Sequence, residues 1–172
     1  MSRQGHIWLL GLSGSGKTTI GPLLAKLLDL PFQDTDEMIV RTAKRPIPDI
    51  FSTEGEPGFR QRETRVIHDL EKQSPAVVAC GGGAVLLKAN RDCMHRTGVR
   101  VYLRIPLGIL HDRLKQKKDR PLLLQGDLTT TLSDQLNARE PWYQESEIQI
   151  DADQDSPARV AQQIFQRLSI DA

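Results

Sequence analysis

The feature that most constrains the fold of this 172-residue chain is the stretch GLSGSGKTT at residues 11–19. It follows the apolar run HIWLL and leads into a helical pattern, so it lies where a strand passes into a helix. The pattern G-x-x-x-x-G-K-[ST] lets backbone N–H groups point at phosphate oxygens beside the positive end of the following helix. The stretch therefore predicts a loop that binds the phosphates of a nucleotide, with an ordinary glycine-rich turn as the alternative.

The residue types within this loop predict a division of roles. We expect Lys17 to reach the β and γ phosphates and Thr18 to place its hydroxyl on Mg²⁺, which prefers oxygen ligands. Neither the Asn-Lys-x-Asp spacing nor the Asp-x-x-Gly spacing typical of GTPases occurs in the chain, so a regulatory GTPase is not expected. The nucleotide-binding residues that the motif indicates are Gly11, Ser13, Gly14, Ser15, Gly16, Lys17, Thr18 and Thr19.

Short apolar segments alternate with amphipathic helical patterns along the whole chain. The five predicted strands are HIWLL, PFQD, AVVAC, VRVYLRI and EIQID. Strands separated by helices of this length favour right-handed crossovers and a mainly parallel sheet that is covered on both faces. We therefore expect a three-layer α/β/α fold in a single domain over residues 1–172, with ligands at the carboxyl edge of the sheet.

Composition and charge limit the partners of the protein. With 23 basic and 22 acidic residues the net charge is +1, which gives no electrostatic case for binding nucleic acid or an anionic membrane. Cys80 and Cys93 do not form a Cys-x-x-Cys pair, and no segment approaches the roughly 20 apolar residues of a membrane span. We therefore expect a cytosolic protein that acts on a small molecule, with no nucleic-acid or membrane partner. We also expect a monomer, although charge and cysteine content do not bear on the oligomeric state.

A kinase needs a second pocket opposite the γ phosphate, and candidate residues occur at other strand ends. Asp34 and Asp36 follow the second strand, and in an extended segment both side chains would share one face. One carboxylate would then support Mg²⁺ and the other would accept a hydrogen bond from an acceptor hydroxyl, with a helix N-cap cluster as the alternative interpretation. Gly81, Gly82 and Gly83 follow AVVAC, where glycine admits a ligand close to the backbone, with a flexible turn as the alternative.

The ordered set GLSGSGKTT, DTD, GEPGFRQRE, GGG, DRPLL and REPWY resembles the shikimate kinase family from end to end. Each later motif is weak alone, but their order and spacing are specific. The resemblance implies a P-loop fold like that of the nucleoside monophosphate kinases. It also implies a substrate-binding helical region at about residues 34–62 and a mobile lid at about residues 112–127. The implied reaction transfers the ATP γ-phosphoryl group to the 3-hydroxyl of shikimate, in the pathway to aromatic amino acids.

The resemblance also implies the residues that hold the metal and the substrate. Asp34 would support Mg²⁺, and Asp36 would hold the shikimate hydroxyls and act as the base. Arg60 and Arg139 would grip the shikimate carboxylate together with the backbone of residues 81–83. This assignment agrees with the chemistry of arginine, since two guanidinium groups suit bidentate pairing with a planar carboxylate.

On the nucleotide side the resemblance implies that Arg120 meets the phosphates from the lid and that Arg113 lies near the adenine. Lys17, Asp36 and Arg120 are then the catalytic residues. Thr18 departs from the serine more usual at its position, without altering its proposed role. Two alternatives remain at this point. One is another small-metabolite kinase of the same fold, such as gluconate kinase, and the other is a regulatory protein that binds ligand without catalysis.

Overall fold

A five-stranded parallel sheet forms the centre of the molecule. The structure is a computed structural model that describes residues 5–115 and 126–170. The strand order is β2-β3-β1-β4-β5, and every pairing is parallel. The five-stranded parallel sheet expected from the sequence is confirmed. The strands are β1 His6–Leu10, β2 Phe32–Asp34, β3 Val77–Ala79, β4 Gly98–Arg104 and β5 Ile148–Asp151.

Within the described residues, seven α-helices and one short 3-10 helix connect these strands. Helix α1 follows the phosphate loop directly, and Asp29 ends it in the left-handed conformation with φ 53°. Helix α7 begins at Pro157, and the Ser156 hydroxyl accepts a hydrogen bond from the Arg159 N–H at 3.3 Å, as expected for its cap. The helices are α1 Lys17–Leu28, α2 Thr35–Ala43, α3 Ile47–Leu70, α4 Lys88–Thr97, α5 Leu107–Leu114, α6 Leu128–Tyr143, α7 Pro157–Ile170 and the 3-10 helix Ala84–Leu86.

The hydrophobic core covers both faces of the sheet. All five residues of β1 are buried, and Trp8 is completely so, as expected for the central strand of a parallel sheet. Helix α1 packs closely on β2, because a Cβ atom at Gly21 would lie 2.2 Å from the ring of Phe32. Among the described residues, no helix has both the length and the apolar character needed to cross a bilayer.

The second helix begins within the segment for which an extended conformation was one of the two interpretations. Strand β2 ends at Asp34 and α2 begins at Thr35, so the expectation of an extended segment that carries Asp34 and Asp36 is wrong. The reason is local, because Asp34 caps the helix with its own side chain. Helix α3 is kinked at Gly55, whose φ of 67° and ψ of −176° interrupt the helix.

Strand order and register bring the loops of the predicted site together. Strand β1 lies between β3 and β4, so the chain leaves the carboxyl end of β1 where the sheet order reverses. Ala79 of β3 is in register with both Leu9 of β1 and Asp34 of β2. The phosphate loop, the aspartates after β2 and the glycines after β3 therefore leave the sheet side by side.

Candidate active site

A cleft of 390 Å³ lies at the carboxyl edge of the sheet. Residues 13–20 line one wall, and Asp34, Asp36, Gly81 and Gly82 line another. These residues come from three separate loops, so the strand register described above creates the cleft. Ala152, Asp155 and Pro157 line a further part that the sequence analysis missed, because they follow β5 and belong to no motif.

The phosphate loop has the backbone that its glycines permit. Gly11, Gly14 and Gly16 have φ angles of 145°, 85° and 96°, which side chains strongly disfavour. A Cβ atom at Gly11 would also lie 2.8 Å from the carbonyl oxygen of Leu103. Gly16 is the N-cap of α1, so the positive end of that helix faces the loop. This geometry suits an anion such as a phosphate group.

Lys17 lies across the phosphate loop and is almost completely buried. Its ammonium group donates to the carbonyl oxygens of Gly11 at 2.7 Å and Leu12 at 2.9 Å, and to the hydroxyl of Ser15 at 3.2 Å. The amine is thus held at the point where the loop curls. It can exchange these neutral acceptors for charged phosphate oxygens, which bind an ammonium group more strongly.

Arg113 reaches the same loop from α5. Its guanidinium Nη1 donates to the carbonyl oxygen of Gly14 at 2.8 Å, and the side chain lines the cleft. The sequence analysis placed this residue near the adenine, and the structure places it against the phosphate loop. Arg120, the other predicted nucleotide contact, lies outside the described residues, as do most residues of the predicted lid.

Asp34 both caps a helix and lines the cleft, so the N-cap interpretation and a role beside the metal are compatible. Its Oδ1 accepts hydrogen bonds from the backbone N–H groups of Asp36 at 2.8 Å and Glu37 at 3.2 Å, so it is the N-cap of α2. It also lines the cleft together with Thr18. Burial raises the pKa of the Asp34 carboxyl, and the nearby charge of Asp36 adds to the shift. A divalent cation at this position would offset that repulsion, and oxygen donors are the ligands that Mg²⁺ prefers.

The three glycines after β3 lie against charged side chains. A Cβ atom at Gly82 would lie 3.3 Å from Nη1 of Arg139 and 3.4 Å from the backbone nitrogen of Ser13 in the phosphate loop. At Gly83 a Cβ atom would lie 2.2 Å from Nη2 of Arg60. Close approach of the backbone, rather than a need for flexibility, therefore explains the triple glycine. The segment also joins the phosphate loop to the two predicted substrate arginines.

Arg139 is buried in α6 without a carboxylate partner among the described residues. Its side chain is 6% exposed, and its Nη1 donates to the amide oxygen of Gln135 at 3.3 Å. Burial lowers the pKa of its guanidinium group. Because a buried cation is costly unless it is paired, this position is prepared to receive an anion from a ligand.

Glu63 is the site residue that the sequence analysis did not single out. It is fully buried in α3 and accepts a hydrogen bond from Arg60 at 2.8 Å, while within the described residues its Oε1 has no hydrogen-bond partner. That oxygen lies 2.7 Å from where a Cβ atom of Gly81 would be. Burial raises the pKa of Glu63 to about 7, although the charge of Arg60 opposes the shift. The available signal was a glutamate within the apolar face of α3, three residues after an arginine.

Tyr143 fixes the glycine segment from the other side. Its hydroxyl donates to the carbonyl oxygen of Gly82 at 2.5 Å, and its ring stacks on that of Tyr102 with centroids 4.9 Å apart. The hydroxyl of Tyr102 points elsewhere and donates to Glu140 at 2.8 Å. The sequence analysis gave Tyr143 no role, because a single tyrosine at the end of REPWY carries no pattern of its own.

The two cysteines take no part in this site as nucleophiles. Both are free and buried, although Cys80 lies at the wall of the cleft. Burial raises the pKa of the Cys80 thiol well above its ordinary value, so the reactive thiolate form is disfavoured.

A phosphate loop at the switch point of a parallel sheet, with two arginines beside the glycine segment that follows β3, defines a P-loop kinase of a small molecule. The family model described as shikimate kinase matches residues 13–169. The chain therefore belongs to the shikimate kinase family.

Individual shikimate kinases match this chain in sequence over nearly its full length. The shikimate kinase of Pseudomonas fluorescens is 42% identical over 165 residues, covering 95% of this chain and 96% of the relative. That of Nitrosospira multiformis is 39% identical over 167 residues, covering 96% and 86%. The solved structure of the Acinetobacter baumannii shikimate kinase in complex with shikimate aligns with a TM-score of 0.95 at 38% identity, covering 98% of this chain and 94% of that one.

The gluconate kinase alternative can be compared in the same way. A gluconokinase from Sinorhizobium meliloti 1021 aligns with a TM-score of 0.67 but is only 21% identical, although 99% of this chain is covered. The likeness is therefore one of fold alone. The family match and the relatives favour shikimate over gluconate as the acceptor.

Proposed function

We propose that this chain transfers the γ-phosphoryl group of ATP, bound with Mg²⁺, to the 3-hydroxyl of shikimate. The observation that carries the proposal is the buried Arg139, which pairs with no carboxylate of residues 5–115 and 126–170 and lies beside Gly82, itself next to Ser13 of the phosphate loop. An anionic acceptor bound at Arg139 is thereby brought next to a nucleotide phosphate. Such proximity is the main requirement of phosphoryl transfer, in which the protein positions the reactants and stabilises charge.

On the nucleotide side, the backbone of the phosphate loop and the ammonium group of Lys17 would hold the β and γ phosphates. The Arg113 guanidinium group, which already contacts Gly14, would add positive charge at the same loop. The base and ribose would extend toward Ala152, Asp155 and Pro157, which line the remaining part of the cleft. Arg120 would contribute from the lid, as the family resemblance implies.

The residues for Mg²⁺ would be Thr18 through its hydroxyl and Asp34 through water. Both line the cleft, and Asp34 offers a buried carboxylate whose Oδ1 is already fixed by two backbone N–H groups. When bound, Mg²⁺ neutralises phosphate charge. Asp34 then orients ligands rather than taking a proton itself.

On the acceptor side, Arg60 and Arg139 would pair with the shikimate carboxylate, and the backbone of residues 81–83 would contact its ring. Asp36 would accept the proton of the 3-hydroxyl while the hydroxyl oxygen bonds to the γ phosphorus. The bond from that phosphorus to the bridging oxygen of ADP breaks in the same step. The substrate-binding region would comprise about residues 34–62 in α2 and the first half of α3, and the lid about residues 112–127.

The test is an assay of the purified protein with ATP and either shikimate or gluconate, with and without Mg²⁺. We expect phosphorylation of shikimate only, dependent on Mg²⁺, with NMR locating the phosphate on the 3-oxygen. Turnover of gluconate but not of shikimate would overturn the assignment. Binding of shikimate and ATP without any turnover would instead favour the regulatory alternative.

A further inference from the structure

A group of three potential metal ligands lies away from the active site, between α3 and α4. His68, Glu71 and Cys93 each offer one ligand atom, and these atoms all lie within 4.8 Å of one another. Nδ1 of His68 lies 3.9 Å from Oε2 of Glu71, and Sγ of Cys93 lies 3.9 Å from the same oxygen. None of the three belongs to a motif used in the proposed reaction.

We infer that His68, Glu71 and Cys93 form a binding site for a single Zn²⁺ ion, with water as the fourth ligand. One nitrogen, one oxygen and one sulfur donor suit Zn²⁺, whereas Mg²⁺ and Ca²⁺ select oxygen ligands. At ordinary zinc bond lengths, the ligand atoms of a tetrahedral site lie roughly 3.4–3.6 Å apart. The two pairs at 3.9 Å therefore need to approach by a few tenths of an ångström, and the nitrogen of His68 and the sulfur of Cys93, which lie within 4.8 Å of each other, by up to roughly 1.3 Å.

The secondary structure prepares this arrangement. His68 and Glu71 are three residues apart at the end of α3, so they share one face of the chain. Cys93 of α4 is fully buried, and its thiol lies 3.8 Å from the carbonyl oxygen of Ile67 in the same turn of α3. The sulfur is thus already directed at the two α3 ligands. An ion would join the two helices as a crosslink.

Arg96 determines which oxygen of Glu71 is available. Its Nε and Nη2 both donate to Oε1 of Glu71, at 3.0 and 2.8 Å, which leaves Oε2 facing Cys93 and His68. The ion displaces the proton of the Cys93 thiol on binding. The positive charge of Arg96 opposes binding but fixes the ligand.

The site lies at the edge of the sheet opposite the phosphate loop. Helix α3 ends just before β3 begins, and α4 ends directly at the start of β4. The ends of both helices are therefore near the amino ends of these strands, whereas the cleft is at the carboxyl ends. We expect metal binding here to stabilise the fold without changing turnover.

The experiment titrates reduced, chelator-treated protein with Co²⁺, whose thiolate complex has a characteristic absorption, and then displaces it with Zn²⁺. We expect one cobalt–thiolate site per chain, displaced by Zn²⁺, and a higher Tm with Zn²⁺. His68→Ala and Cys93→Ser should weaken binding by at least about tenfold, the lower end of what losing even an outer-shell partner costs. His95→Ala is the matched control, since it removes another histidine that lies 3.2 Å from a carboxylate, that of Glu147.

Three outcomes would overturn the inference. They are the absence of a cobalt–thiolate band in the wild-type chain, equal binding by His68→Ala, and a band that persists in Cys93→Ser. If Cys93→Ser does not fold, His68→Ala alone still tests the metal site. The side chain of His68 is partly exposed, so its removal should leave the fold intact. Kinase activity of the same samples is measured separately, so failure of the metal site and failure of the proposed reaction are distinguishable.

Discussion

The nucleotide half and the acceptor half of the candidate site are built in different ways. The phosphate loop consists of consecutive residues, and its shape follows from three glycines with positive φ. The acceptor pocket instead takes side chains from α2, α3 and α6, and these side chains carry opposing charges within a buried space. The nucleotide half is thus a local backbone structure, whereas the acceptor half depends on tertiary packing. Substitutions should therefore impair catalysis in the first half and acceptor binding in the second.

The strongest test of this contrast is Lys17→Ala. Lys17 fills no core position, so the fold should survive, while loss of its charge from the transferring phosphate should lower kcat by roughly 10³-fold. Steady-state kinetics and circular dichroism measure the two effects. Lys26→Ala, an exposed lysine of the same helix, is the control. A folded Lys17→Ala variant with normal kcat would remove Lys17 from the reaction.

The second test is Arg139→Ala. Truncation leaves a desolvated carboxylate without one of its two arginines, so shikimate binding should weaken by about 2–5 kcal/mol. ATP affinity should change little, because Arg139 lies on the far side of Gly82 from Ser13 of the phosphate loop. Calorimetry of each ligand measures this, with exposed Arg65→Ala as the control. If ATP binding were weakened and shikimate binding unchanged, Arg139 would belong to the nucleotide half.

The third test asks whether the acceptor pocket balances its charge with a proton. The pKa of Glu63 is about 7, with Arg60 and Arg139 opposing the shift and Asp36 adding to it. A bound shikimate carboxylate adds negative charge and raises this pKa further, so binding should take up roughly 0.3–0.7 proton at pH 7.5. Calorimetry in buffers of different ionisation enthalpy measures the uptake. Glu63→Gln should abolish it, and Glu56→Gln, which removes the exposed partner of Arg60, should not.

The same carboxyl group gives the free protein a pH-dependent stability. Because the folded pKa of about 7 lies above the ordinary value of 4.5, the protonated group favours the folded state. The contribution of Glu63 to the free energy of unfolding is fully present below pH 4.5 and is lost as the pH rises through 7. Glu63→Gln should therefore flatten the free energy of unfolding across this range. An unchanged slope, together with a binding enthalpy independent of buffer, would show that Glu63 stays ionised.

The smallest expected effect is that of Tyr143→Phe. The ring stack with Tyr102 remains, but the hydrogen bond to the carbonyl oxygen of Gly82 is lost, so the glycine segment is held less firmly. The KM for shikimate should rise by roughly 2–10-fold, which corresponds to one ordinary hydrogen bond. Tyr102→Phe removes a hydroxyl from the same stack that points to Glu140 instead, and it should leave KM unchanged. Equal effects of the two variants would indicate a general loss of stability.

The sequence predicted the nucleotide half better than the acceptor half, for a physical reason. The phosphate loop and the five strands are local patterns, and each was found from consecutive residues. The start of α2 was predicted only as one of two alternatives, because Asp34 both ends a strand and caps a helix; the N-cap alternative is confirmed and the extended arrangement of Asp34 and Asp36 is wrong. Glu63 and Tyr143 gain their importance only from neighbours that are distant in sequence, namely Gly81 and Gly82.

The position of Gly82 also has a consequence for how the enzyme could be modified. Because a Cβ atom there would lie 3.3–3.4 Å from Arg139, Ser13 and the carbonyl oxygen of Gly11, a side chain at this position would press on both the acceptor arginine and the phosphate loop. Gly82 is therefore a poor position at which to change the acceptor. New specificity has to come from side chains on α3 and α6, while the loop that separates them from the nucleotide is kept intact.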